Sequence, residues 1–186
     1  SYLRVGEEEK AKLSYAAAMR LNINSRVREE AMYNYVQITY LQGSALGDNI
    51  TAFQDFLREY PNTKYTNNVY ALMADMYMNS KNYKAAYDAL VGIKQPDAKM
   101  QETIQFLRYQ LGIDAFLQGN MKEAANWMTQ VIKNEKKSSH YKTEAYYMRA
   151  ESRYRMLQYP ACIEDIEVFV KQANAPKSKN YTTALY

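Results

Sequence analysis

The apolar and polar positions of residues 67–96 follow the spacing of two consecutive helices. Apolar or small residues recur at helical intervals in both halves of this stretch: Tyr70, Met73, Ala74 and Tyr77, then Tyr83, Ala86, Leu90 and Ile93. Polar residues at 80–82 separate the two halves, and Pro96 follows the second. The pattern therefore predicts a helix–turn–helix hairpin, whose apolar faces have to pack against neighbouring elements.

Comparable hairpins recur along the chain. Each has a small residue early in its second helix, namely Ala11, Ala52, Ala86, Ala124 and Cys162, at steps of 41, 34, 38 and 38 residues. Four positions before these residues stand Glu7, Asp48, Asn82, Asn120 and Gln158, and three of the five are good N-caps. Glycine, which often ends a helix in the left-handed conformation, precedes them at Gly6, Gly47 and Gly119, whereas Lys81 and Leu157 break this rule. We therefore predict an all-α fold of four and a half stacked hairpins with about nine helices.

The helix boundaries follow from the same signals. We predict helices over residues 7–20, 26–42, 49–60, 121–134, 143–157 and 160–173, in addition to the two halves of 67–96. Ser25 is the expected cap of the second, and Asp97 is expected to cap a long helix that reaches about residue 118. Residues 1–6 resemble the end of an earlier helix, and residues 175–186 are expected to be a loosely held tail or the start of a further repeat. Residues 1–174 are accordingly predicted to be a single array within a longer chain.

Two sequence features resemble known families. The small residues Ala74 and Ala86 and the pair LG at 111–112 resemble the tetratricopeptide repeat (TPR) pattern, and tyrosine-rich chains of this kind are typical of bacterial TPR proteins. The segment AFQDFLREYPNTKY at 52–65 is similar to the repeats of BamD-type outer-membrane assembly lipoproteins. The TPR resemblance implies a right-handed superhelix with a concave groove that receives a protein or peptide. The BamD-type resemblance implies the periplasm or cell envelope of a bacterium.

The groove-facing positions of the TPR family imply a binding surface on the first helices of the hairpins. It consists of Asp75, Met78, Phe106, Tyr109, Ile113, Phe116, Tyr147, Glu151, Tyr154 and Arg155. Apolar side chains that face water usually mark a contact surface. Aromatic residues at helical spacing are also typical of a hydrophobic core, however, so the sequence leaves groove and core open for the aromatic members of this set.

The residues that carry catalytic or metal chemistry are sparse. His140 is the only histidine and Cys162 the only cysteine, which excludes a Ser-His-Asp triad and an internal disulfide. The sequence contains no glycine-rich phosphate loop and no apolar run of about 18 residues. We therefore expect a non-catalytic scaffold without cofactor, metal, membrane span or small-molecule substrate, in which Cys162 is buried and inert and His140 is solvated.

The alternative function belongs to a different class. The net charge is a modest +4, but basic residues gather in the C-terminal third: Lys133, Lys136, Lys137, Lys142, Arg149, Arg153 and Arg155. Interleaved tyrosines such as Tyr146 could stack on bases while the basic groups bind phosphates. Acidic residues are mixed into the same stretch, so we prefer a protein partner and keep an RNA-binding helical-repeat module as the alternative.

Overall fold

The computed structural model of the chain describes residues 5–20, 24–43, 46–134 and 140–185. These residues contain helices and turns and no strand. The α-helices are α1 (Val5–Arg20), α2 (Ser25–Leu41), α3 (Leu46–Glu59), α4 (Thr66–Asn79), α5 (Tyr83–Val91), α6 (Ala98–Leu117), α7 (Met121–Asn134), α8 (His140–Arg155), α9 (Tyr159–Val170) and α10 (Tyr181–Ala184). The predicted all-α fold of helical hairpins is confirmed, with ten described helices in place of about nine.

The helices belong to two compact units. The N-terminal unit is Ser1–Pro96, with the hairpins α2–α3 and α4–α5, and the C-terminal unit is Asp97–Tyr186, with the hairpins α6–α7 and α8–α9. Within each unit the first helices of consecutive hairpins lie side by side, α2 with α4 and α6 with α8. The single array over residues 1–174 stays a prediction.

One turn joins the two helices of the hairpins. Gly43, Lys81, Gly119 and Leu157 all have positive φ, at a constant spacing of 38 residues. At the last three, the amide of the left-handed residue bonds three residues back, and the next amide bonds five residues back. This is the Schellman pattern, which satisfies carbonyls at the end of the first helix. Lys81 and Leu157 adopt it without the glycine that the sequence rule required.

The glycine rule fails at the first two anchors. Gly6 lies inside α1 and Gly47 inside α3, so Glu7 and Asp48 do not begin helices. Residues 5 and 6 belong to the same helix as residues 7–20, which corrects the prediction of an earlier helix ending at residue 6. Residues 1–4 lie outside the described residues.

Asparagine and aspartate caps begin several helices. The Oδ1 atoms of Asn82, Asn120 and Asp97 accept the amides of Ala85, Glu123 and Met100 at 3.2, 3.4 and 2.8 Å. These three predicted caps are confirmed. The cap of α2 is Asn24, whose Oδ1 accepts the amide of Arg26 at 3.0 Å, and not Ser25 as predicted.

Helix ends differ from the prediction at two places. α5 ends at Val91, before Gly92 and well before Pro96. α8 begins at His140 and not at residue 143, so part of the predicted inter-repeat loop is helical. This shift places Tyr141 on α8, one turn before Ala145 and on the same face.

The core of the N-terminal unit lies between its hairpins. Val36, Phe53, Phe56 and Val69 are fully buried, and the predicted small contact residues Ala74 and Ala86 are 2% and 0% exposed. Two hydrogen bonds link α2 to α4 across 35 residues: Tyr33 Oη donates to Asn68 Oδ1 at 3.0 Å, and Tyr40 Oη donates to Asp75 Oδ2 at 2.6 Å. Their shared spacing aligns the first helices of the two hairpins.

The core of the C-terminal unit centres on Met128, Val131 and Ala145. Gly112 occupies the TPR small-residue position of α6, where an added Cβ would lie 2.6 Å from Met128 Cε. The close approach of α6 to α7 therefore depends on the missing side chain.

A buried ion-pair cluster ties α8 to α9 and α7. Asp165 of α9 is 3% exposed and accepts Arg149 Nε and Nη2 at 2.9 and 2.6 Å, and Arg153 Nη1 at 2.8 Å. Arg149 Nη1 also donates to Thr129 Oγ1 at 3.0 Å. A carboxylate this deeply buried is tolerated because several charge-assisted hydrogen bonds satisfy it.

The C-terminal stretch contacts the preceding hairpin. Ala175 is fully buried, and Asn180 Nδ2 donates to Glu144 Oε2 at 3.1 Å. This stretch is therefore anchored at two points, and α10 begins directly after the second. How readily it opens stays a prediction.

The first testable prediction concerns the contact at Ala86. Ala86→Leu should lower the free energy of unfolding by about 1–3 kcal/mol, because the added side chain has no room between the helices. Urea unfolding measures the change. Ala17→Leu on the exposed side of α1 is the control and should change it by less than about 0.5 kcal/mol. Equal stability of the two variants would show that the position of α5 is wrong.

The second concerns Asp165. Asp165→Asn should lower the free energy of unfolding by about 3–5 kcal/mol, since it leaves two largely buried guanidinium groups without their counter-charge. Glu167→Gln is the matched control on the same helix. It removes an exposed pair with Lys171 at 3.8 Å and should cost less than about 0.5 kcal/mol. A small effect at Asp165, again in urea unfolding, would contradict the buried cluster.

Candidate functional site

The predicted site residues of α6 form one stripe along the helix. Phe106, Tyr109, Ile113 and Phe116 are spaced by three, four and three residues, so they lie on one face. All four are half-buried and none is fully covered. The stripe is therefore neither a plain core face nor a fully solvated one.

Tyr141 of α8 extends the stripe to the neighbouring first helix. Its ring lies 6.1 Å from that of Phe106 and 5.7 Å from that of Tyr109, between centroids. Sequence reasoning missed this residue because it was assigned to a loop. Its spacing to Ala145 and Met148, which belong to or pack on the same core, was the signal that could have placed it on the helix.

Tyr109 is the most deeply placed phenol of the site. Burial, helped by the charge of Glu144 and by Tyr141, raises the pKa of Tyr109 to about 12. Glu144 is itself buried and accepts Asn180 Nδ2. The phenol therefore stays protonated at physiological pH and can donate a hydrogen bond.

Phe116 lies beneath an oriented arginine. Arg155 Cζ stands 4.3 Å from the centroid of the Phe116 ring, and Arg155 Nε donates to Glu151 Oε1 at 3.0 Å. The Arg155 side chain remains 48% exposed. Stacking on the ring and the bond to Glu151 fix the orientation of the guanidinium group while its outer edge faces solvent. Four predicted positions on two helices thus include three that the fold brings into contact.

Tyr147 and Tyr154 lie further along α8. Tyr147 packs on Phe169 of α9 with ring centroids 5.4 Å apart, and burial, followed by the charges of Glu151 and Glu144, raises the pKa of its phenol. Tyr154 is 56% exposed and touches Tyr159 rather than the α6 stripe. Tyr147 therefore borders the site, whereas the ring contact of Tyr154 is with the start of α9.

Part of the predicted site also packs on the core. Tyr109 and Ile113 pack against the buried cluster of Met128, Val131 and Ala145. Because both remain partly exposed, the question of groove or core has a mixed answer for them. Each contributes one side to the core and the other to the surface.

Asp75 and Met78 belong to the N-terminal unit. Asp75 Oδ2 accepts Tyr40 Oη at 2.6 Å and Asn79 Nδ2 at 3.3 Å, so its carboxylate joins α2 to α4. Met78 is half-buried on the same helix. We find a direct structural role for Asp75 that the sequence prediction had not included.

The basic residues of the RNA alternative are not equally available. Arg149 and Arg153 are 12% and 24% exposed and bonded to Asp165, so they are not free to bind phosphates. Lys133 is exposed and Lys142 half-buried, and Lys136 and Lys137 lie outside the described residues. Two of the arginines that motivated this alternative thus have a structural partner.

The single histidine and cysteine do not form a reactive site with each other. His140 is exposed, as expected, but is the first residue of α8 rather than part of a loop. Cys162 is half-buried rather than fully buried, and burial is the main cause that raises the pKa of its thiol. A raised pKa leaves little of the reactive thiolate. In the described part of the chain, no group of three metal-ligating side chains lies together, and no helix is long and apolar enough to cross a membrane.

Two polar clefts of the N-terminal unit border the loop between α3 and α4. The larger, of about 570 Å³, is lined by polar residues of 61–67, by Tyr70 and by residues 92–95, and Lys94 Nζ donates to Asn62 Oδ1 across it at 2.6 Å. The smaller, of about 390 Å³, lies between residues 26–30 and 62–65. Neither contains a residue of the predicted site.

Comparisons with known proteins give one structural likeness. No family model matches the chain, and no curated protein matches it. Among solved structures, the chain is similar to the crystal structure of MamA, with 16% identity, all of each chain covered and a TM-score of 0.43. At this level of similarity, nothing is carried over from that protein to this one.

The third testable prediction concerns Tyr109 and pH. A folded-state pKa of about 12 against an ordinary value of 10.0 means that the folded protein holds this proton more tightly. The resulting stability is present below about pH 10 and is lost as the pH rises towards about 12.

Tyr109→Phe removes this titration. The free energy of unfolding of the variant should therefore fall less steeply than that of the parent between about pH 10 and 12. Urea unfolding at successive pH values measures the slope, and Tyr154→Phe at an exposed position is the control. Parallel curves for parent and Tyr109→Phe would contradict the burial of this phenol.

Proposed function

We propose that the chain is a non-catalytic scaffold that binds a peptide or protein segment on the first helices of its C-terminal unit. The surface consists of the α6 stripe together with Tyr141, Tyr147, Glu151 and Arg155 of α8. The observation that carries the proposal is the arrangement of Phe116, Arg155 and Glu151, which holds an aromatic face and a charged group in a fixed relation on two helices.

The chemistry of this surface suits a protein ligand. Half-exposed aromatic rings offer large contact area at little cost in conformational entropy, and aromatic and arginine side chains dominate binding energy at protein interfaces. The protonated phenol of Tyr109 can donate a hydrogen bond at the deep side of the surface. Arg155 can pair with an acceptor at its outer edge. Charged groups at such a rim mainly set orientation and association rate.

Asp75 and Met78 complete the proposed set in the N-terminal unit. Asp75 is already bonded to Tyr40 and Asn79, so its free acceptor capacity is limited. We therefore assign these two residues a minor part in binding and place the main anchors on α6 and α8.

The cell-envelope role is a further part of the proposal. It rests on the similarity of residues 52–65 to BamD-type repeats and concerns assembly of envelope proteins. Fractionation of the source cells with an antibody against the chain tests it. Recovery with the envelope fraction supports this role, and recovery only with the cytosol contradicts it.

The fourth testable prediction concerns the anchors. Peptides selected from a random phage-displayed library against the whole chain would be titrated by fluorescence anisotropy. Phe116→Ala and Tyr147→Ala should each weaken binding by about tenfold or more, as expected of aromatic anchors. Leu13→Ala, at a residue 68% exposed on α1, is the control and should leave affinity unchanged.

Two results would contradict the proposal. One is a library that yields no binder to the folded chain. The other is a set of binders whose affinity survives both aromatic substitutions, with circular dichroism showing that the variants are folded. Such binders would place the binding surface elsewhere.

A further inference from the structure

The turn between α8 and α9 holds an exposed leucine in a backbone conformation that leucine disfavours. Leu157 has a φ of 61° and is 71% exposed. Left-handed backbone brings Cβ close to the following carbonyl oxygen, so it is unfavourable for residues other than glycine. In the preceding hairpin Gly119 makes the same turn with the same pair of backbone hydrogen bonds. The turn therefore does not require a leucine.

Leu157 belongs to an apolar patch at this end of the hairpin. Tyr154, Tyr159 and Ile163 are 56%, 48% and 59% exposed. The rings of Tyr154 and Tyr159 meet edge to face with centroids 5.7 Å apart, and Ile163 follows Tyr159 by one turn on the same face of α9. We call these four residues the tip patch.

The equivalent turn of the N-terminal unit is polar. Residues 79–82 read Asn-Ser-Lys-Asn, all exposed, and Lys81 has a φ of 58° and the same hydrogen bonds. The same turn thus exists with a polar tip. The apolar character of the tip patch is not explained by the fold, and contiguous exposed apolar residues usually mark a contact surface.

Charged groups of both signs border the tip patch. Arg155 precedes Leu157 by two residues and is half exposed, with Nε bonded to Glu151. Glu164 follows Ile163 directly and is exposed, and Glu167 pairs with Lys171 at 3.8 Å. An anionic lipid surface would attract Arg155 but repel the two glutamates. A surface with the same mixture of charges complements both borders.

We propose that the tip patch is a self-association surface through which two copies of the chain form a weak twofold dimer. A twofold interface uses the same surface of both copies, so the positive border of one can lie against the negative border of the other. Leu157 and Ile163 would be removed from water, while the tyrosine hydroxyls remain at the rim. Four large side chains per copy are few for a stable interface, so we expect a Kd on the order of 10–100 μM.

Sedimentation equilibrium of the full chain at about 5–500 μM tests this dimer. A monomer–dimer equilibrium is expected for the parent. Leu157→Gly relieves the backbone strain and removes the side chain, so it should raise Tm by about 2–4 °C. The same variant should raise the dimer Kd by about tenfold. A leucine with only a structural role would instead lower Tm when it is removed.

Lys81→Gly is the matched control. It relieves the same strain in the N-terminal unit, so it should raise Tm to a similar extent and leave the dimer Kd unchanged. Ile163→Arg is a second interface variant, which should abolish the dimer by placing like charges together. Tm is measured for each variant by circular dichroism below the dimer Kd.

Three results would overturn the proposal. The first is a parent that stays monomeric over the whole concentration range. The second is a dimer whose Kd is unchanged by both Leu157→Gly and Ile163→Arg, because its interface would then lie elsewhere. The third is a monomeric parent that co-sediments with vesicles of phosphatidylcholine and phosphatidylglycerol at about 7:3 and loses this binding in Leu157→Gly, which would assign the tip patch to a lipid surface.

Discussion

The left-handed turn that closes each hairpin is the constraint on which the rest of the structure depends. It recurs every 38 residues and returns the chain so that the second helix packs on the first. Buried positions of the first helices follow the same spacing, at Val36, Ala74, Gly112 and Ala150. A hairpin of this kind can bury its apolar face only against its neighbours, so stability is shared within each unit. Where the turn carries glycine it is unstrained, and where it carries Lys81 or Leu157 the packing of the two helices maintains it.

Much of the fold could be predicted from local signals. The helices α6 and α7, the caps Asp97 and Asn120 and the contact residues Ala74 and Ala86 follow from periodicity and capping chemistry, which act over one or two turns. The left-handed Lys81 and Leu157 could not be predicted, because packing imposes a conformation that their side chains disfavour. The bonds from Arg149 and Arg153 to Asp165 also escaped prediction, since they join different helices and appeared in the sequence as surface charge. For the site, spacing predicted the α6 stripe, but the start of α8 and hence Tyr141 were missed.

The candidate site shows how such a fold makes a surface from its core. Tyr109 and Ile113 pack on Met128, Val131 and Ala145 with one side and remain partly exposed with the other. Their orientation is therefore set by the same contacts that stabilise the C-terminal unit. Phe116 and Arg155 add a stacked pair at the end of the two helices, held in place by Glu151. A surface supported in this way needs little rearrangement on binding, which favours affinity because less conformational entropy is lost.

The central claim is that the chain binds a protein segment on α6 and α8, and the structure of a complex tests it most directly. A crystal structure of the whole chain with a selected peptide would show which side chains the peptide covers. The account predicts that the peptide lies along α6 and α8, covers Phe116 and Tyr147 and bonds to Arg155. A peptide bound on α7 and α9, or on the N-terminal unit, with the α6 stripe left exposed would contradict it.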